Sequence, residues 1–120
     1  MTDLTDMSER EYFNQFATRT GMFIGRPSLE RVTAFLIGYD QAARRHGGPG
    51  LDGWREWLTA RHHVSPNLVW EAQIQQIALG EAGIRPDLTP EEETQVTDVL
   101  FELLDKFLAG QERARKNPRT

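Results

Sequence analysis

Thr89-Pro90-Glu91-Glu92 opens a run in which apolar residues recur at intervals of three and four, from Val96 to Leu108. A threonine with glutamate three residues on is a capping box, and proline at the first helical position has no amide hydrogen to leave unsatisfied. Acidic residues at Glu91 to Glu93 also suit the positive end of a helix dipole. This pattern predicts a long helix from Thr89 to about Gln111. A domain of this size needs one central helix, and this segment is the candidate.

At ~100° per residue, Val96, Val99, Leu100, Leu103 and Phe107 form one stripe on that helix, and Phe101, Leu104 and Leu108 form a second beside it. So wide an apolar arc has two explanations. The helix is wedged between neighbours, or Phe101, Leu104 and Leu108 form a self-association face for a homodimer or partner.

The remaining periodicities predict four more helices and no strand, hence an all-α bundle of about five helices in a single domain. The first starts at Ser8 as N-cap and carries Tyr12, Phe13 and Phe16 on one side, ending at Thr20-Gly21. The second starts at Ser28, buries Leu29, Val32, Phe35, Leu36 and Tyr39, and stops at "RRHGGPG". That glycine-rich loop reads as the best hinge in the chain. The third, with Trp54, Trp57 and Leu58 on one side, is capped by Asp52. Ser65-Pro66 starts the fourth, which carries Leu68, Trp70, Ile74 and Ile77, with Gly80 and Gly83 closing it. The helical domain spans 1–112, followed by a flexible basic tail at 113–120.

Composition narrows the function. At 38% hydrophobic and 27% charged residues, the 120-residue chain has a globular balance. The start, "MTDLTDMSERE", is polar and acidic, unlike a signal peptide, and no apolar run spans a bilayer. With no cysteine, disulfides, thiolate metal sites and cysteine nucleophiles are excluded. A cytoplasmic, bacterial-type protein is the simplest expectation. The net charge of −4 supplies no basic face for nucleic acid, and it fits a basic protein partner better.

No catalytic constellation emerges. Ser8, Ser28 and Ser65 are caps, and no glycine-flanked serine elbow exists. His46, His62 and His63, even with Asp52 and Glu56, lack the spacing that converges on a metal ion, so no metal and no cofactor is expected. Asp40 falls on the apolar side of the second helix and Arg61 lies between two tryptophans of the third. Each needs a partner, and the expectation is a buried ion pair between them, with Arg26 or Arg44 as the other partners for Asp40. Trp54, Trp57 and Trp70 read as core, with the option of one as an interface anchor.

The segment "RTGMFIG", Arg19 to Gly25, resembles the "RPGMYIG" segment of GHKL-type ATPases such as the gyrase B subunit. That family needs a glutamate four residues before an asparagine, and Ile37 and Gln41 stand there instead. The glycine-rich nucleotide motif is also missing, so the resemblance implies no ATP hydrolysis. The stretch reads as an inter-helix turn, with an anion at the Ser28 to Glu30 amides as the alternative. A wider resemblance covers "GMFIG-x-x-SL-x5-FLIGY", "GLDGWREWL-x-x-R" and "NLVW". It is to small, actinobacterial-type helical proteins of toxin–immunity loci, and it implies a protein that binds and neutralises a cognate toxin.

These readings converge on a non-enzymatic protein-binding domain, most sharply an immunity protein. Its expected rim contacts are Asp52, Glu56, Glu71, Glu81 and, in the glycine-rich loop, His46. A homodimeric regulatory or scaffold domain is the second expectation, and a small-ligand or nucleotide binder around Arg19 to Ser28 and Asp40 the third.

Overall fold

A computed structural model describes residues 8–18 and 28–116, the last two by backbone alone. Its order is α1 (Glu9–Thr18), α2 (Leu29–Arg45), α3 (Trp54–His62), α4 (Trp70–Leu79), a 3-10 turn (Glu81–Gly83) and α5 (Pro90–Lys116). No strand occurs among the described residues. The architecture is all-α, as the periodicities predict.

Three helix starts follow from local chemistry. Ser8 accepts the Glu11 amide at 3.1 Å and its hydroxyl donates back to Glu11 Oε1 at 3.3 Å. Ser28 accepts the Arg31 amide at 3.1 Å. Thr89 and Glu92 exchange both bonds of the capping box, at 3.1 and 2.9 Å. Each satisfies amides that have no intrahelical partner.

α5 is the central element. It packs against α1, α2 and α4, and both of its apolar stripes face inward. Leu100, Leu104 and Leu108 are each at most 2% exposed. Phe101 is half-buried, 5.5 Å from Phe16 of α1, while Phe107 meets Trp54 and Trp57 of α3 at 5.3 and 5.8 Å. Leu104 and Leu108 are therefore core and Phe101 packs against it, so this stripe is used within the chain and not left as a self-association face. A helix with neighbours on several sides needs apolar surface around more than half its circumference.

Two predicted helix starts shift. At Ser65 the chain makes a turn, in which the hydroxyl accepts the Asn67 amide at 3.2 Å and the carbonyl accepts the Leu68 amide at 3.3 Å. The amide of Gln73, a fully buried side chain, donates to that carbonyl and to Thr59 Oγ1, both at 2.9 Å, and Arg55 donates to the Pro66 carbonyl. These bonds from α3 and α4 hold the turn out of the helix, which begins at Trp70. α3 starts after Gly53, whose φ of +83° places it in the left-handed region, and the Asp52 side chain does not cap it. At the other end of the chain α5 runs through Lys116, so 113–116, expected as tail, are helical; 117–120 lie outside the described residues.

The glycine-rich loop after α2 is pinned rather than hinge-like. Asp40 Oδ1 accepts the Leu51 amide at 2.7 Å and the Arg44 guanidinium at 2.9 Å. Leu51 is buried in the core beside Trp54. Arg10 and Asp105 tie α1 to α5 by a two-pronged ion pair of 2.6 and 3.1 Å, and the bond from Arg10 holds the Asp105 carboxyl below its ordinary range.

His62, in the last turn of α3, lies 6.2 Å from the Trp57 ring. Burial, and then the charges of Arg61, Lys106 and His63, hold its imidazole below the ordinary value. The unfolded chain therefore takes up the proton first as pH falls through about 6.5, and the stability supplied by the neutral form is lost below that point. The melting temperature should fall between pH 7.5 and 5.5, and His62→Gln should flatten that slope. An unchanged slope in the variant would remove His62 as its source.

Candidate functional site

The first turns of α2 and α4, residues 85–88 and the N-terminal part of α5 enclose a cleft of about 410 Å³. Ile74, Val96 and Leu100 line it although each is at most 1% exposed, so they form its floor. Trp70 and Leu88, both partly buried against the core, supply apolar walls. The volume falls within the usual range for binding pockets.

Three carboxylates, Glu30, Glu71 and Glu93, also line the cleft. Each sits in the first turn of its helix: Glu30 in α2, Glu71 in α4 and Glu93 in α5. That position complements the helix dipole and is why Glu30 and Glu93 read in the sequence as ordinary helix starts, whereas Glu71 is one of the expected rim contacts. Among the described residues none of them has an ion-pair partner. Glu93 accepts the Leu29 amide at 3.2 Å, so a carboxylate of α5 sits on the first amide of α2.

Of the amides at Ser28 to Glu30, where an anion is the alternative expectation, that of Leu29 is thereby occupied. With the Leu29 amide taken by Glu93 and the Arg31 amide by Ser28, the start of α2 is already met by oxygen acceptors of the chain itself. Arg19 to Pro27, which carry the GHKL-like segment, lie outside the described residues.

Arg85 is the cationic side chain of the lining, and its charge is spent locally. It pairs with Glu92 at 2.5 Å and Asp87 at 3.2 Å, and it donates to the Ala82 carbonyl. The bond to Glu92 raises its pKa above the ordinary value, and the same bond lowers that of Glu92. The lining holds no histidine, serine or lysine, so no nucleophile stands beside a nitrogen base.

Of the expected rim residues, only Glu71 lies in this cleft. His46 caps the far end of α2, about 25 Å along the helix axis from Leu29. Asp52 is exposed near that end, 3.9 Å from Arg44; Glu56 is exposed on α3 and Glu81 on the 3-10 turn. These five residues do not form one patch.

The expected Asp40–Arg61 pair does not form. Asp40 is paired with Arg44, one of its other expected partners, and is half-buried rather than buried. Arg61 is exposed, with its guanidinium 5.0 Å from the centroid of Trp57. An i,i+4 neighbour reaches each charge before any cross-helix partner does. Among the described residues no group of three histidine, aspartate or glutamate side chains is placed to hold a metal ion. No helix among them is long and apolar enough to cross a membrane.

Comparison with protein families, curated proteins and solved structures finds no match.

Proposed function

We propose that the chain is a non-enzymatic protein-binding domain and that the cleft between α2, α4 and α5 is the centre of its contact surface. The observation that carries this reading is the cleft itself: an apolar floor under three carboxylates that no cation of the described chain neutralises. Val69 and Ile84 support it. Among the described residues they are the large apolar side chains left exposed, and each is next in sequence to a lining residue, Trp70 and Arg85. Apolar surface next to a concave site is where a partner gains most on docking.

In its sharpest form the domain is a cytoplasmic immunity protein that binds and neutralises a cognate bacterial toxin. The net charge of −4 and the acidic lining favour a basic partner, whose encounter would be sensitive to salt.

Light scattering on the chain alone and mixed with the product of the neighbouring gene tests this. The expected result is a monomer that forms a one-to-one complex with that product. Thr33, half-buried in α2, lines the cleft, and Thr33→Trp fills it from the side. This variant should stay folded and weaken the complex at least about tenfold, or ~1.4 kcal/mol. A monomer that ignores its neighbour, or a complex indifferent to Thr33→Trp, would sink the reading.

A further inference from the structure

Resting on the protein-binding reading of this cleft, we infer that the cleft receives an arginine or lysine side chain of the partner. A basic side chain has two parts, an apolar stem and a charged head, and the cleft is divided in the same way. Ile74 and Leu100 are buried at its floor and give the stem apolar surface, while Glu30, Glu71 and Glu93 offer acceptors to the head. Trp70 adjoins Glu71 and adds a ring that attracts a cation.

Charge complementarity decides between a basic and an acidic or neutral occupant. Among the described residues the three carboxylates have no ion-pair partner. Arg85, the cation of the lining, has its guanidinium held by Glu92, Asp87 and the Ala82 carbonyl. An acidic side chain entering the cleft would meet charge of its own sign that no described cation neutralises. A purely apolar one would strip water from carboxylates that nothing then replaces. A guanidinium or ammonium supplies the missing donors, and a guanidinium does so in a planar fork suited to carboxylates.

The test uses the full chain, isotope-labelled, titrated by NMR with three capped tripeptides of form acetyl-Gly-X-Gly-amide, where X is arginine, citrulline or leucine. Citrulline keeps the shape of arginine and removes its charge. The arginine peptide should shift the Trp70 indole and the amides of Glu71 and Ile74. It should bind about tenfold more tightly than the citrulline peptide, the order expected for a charge-assisted contact in a half-enclosed site. Glu30→Gln with Glu71→Gln should bring arginine to the citrulline level and leave citrulline unchanged. Both side chains lack partners among the described residues, so the variant should keep its fold. Equal binding of arginine and citrulline, shifts that map elsewhere, or no shifts at all would overturn the inference. Leucine binding in the cleft as well as arginine would overturn it too, yet would leave protein docking there intact. Loss of the neighbour's complex would strike the docking reading while the peptide result still reports the chemistry of the cleft.

Discussion

Leu104→Asp is expected to unfold the chain. Leu104 is 1% exposed in the core formed with Phe16, Leu36, Leu100 and Leu108. The substitution removes a buried leucine side chain, worth about 2–5 kcal/mol even as the alanine variant. It then places a carboxylate where no described cation stands, costing several kcal/mol more whether the group stays charged or takes up a proton. A domain stable by about 5–15 kcal/mol cannot absorb both. Circular dichroism should show no cooperative melt. Leu104→Ala provides the graded version: still folded, but melting roughly 10 °C lower, from about 3 kcal/mol lost. The pair also settles how the second stripe of α5 is used. If it served self-association, Leu104→Asp would give a well-folded monomer with an undiminished melting temperature.

Gly50→Ala should cost about 3 kcal/mol, a large loss for one added methyl group. Gly50 is buried at φ +55°, and a Cβ there would lie 2.5 Å from Asp40 Oδ1 and 3.0 Å from the Asp40 carbonyl oxygen. Left-handed backbone alone costs an alanine about 1–2 kcal/mol. Displacing the Asp40 carboxylate loosens its bonds to the Leu51 amide and Arg44, adding about 1.5–3 kcal/mol for a charged hydrogen bond. Gly47 separates the two contributions, since at φ +83° it has nothing within 4 Å of a Cβ. Gly47→Ala should therefore show the backbone cost alone in urea denaturation. In an Asp40→Ala background, Gly50→Ala should fall toward the Gly47→Ala value, because the coupling runs through one carboxylate. If the two glycine variants cost the same in the natural chain, Asp40 yields freely and does not pin the loop.

Both predictions concern contacts that were only partly legible from the sequence. That α5 carries two stripes was readable from Val96 to Leu108. Whether the second met a helix of the same chain or of another depended on where α1 and α3 came to lie. Asp40 is recognisable as a charge needing a partner, with Arg61 the first expectation and Arg44, the partner it has, only an alternative. The loop after α2 brings back a backbone amide, that of Leu51, and no side-chain pattern announces an amide. Gln73 gave no signal at all. A lone glutamine in a helix looks like surface until Thr59 and the Ser65 carbonyl are placed against it. In the cleft, Glu71 was among the expected contacts, whereas Glu30 and Glu93 were hidden by their positions as ordinary first-turn acids.

The division follows the range of the forces. Helix starts at Ser8, Ser28 and Thr89 depend on bonds between residues three apart, and the apolar stripes depend on a period of 3.6 residues. Such information survives in a linear string, so an all-α chain with a long, doubly apolar last helix could be written down from residues alone. The cleft, the pinned loop and the internal placement of Phe101, Leu104 and Leu108 arise from packing between segments far apart in sequence. Glu93 reaches Leu29 across 64 positions and Arg10 reaches Asp105 across 95. Those meetings exist only once five amphipathic faces have closed on one another, because burial rewards any mutually compatible packing and names no particular neighbour.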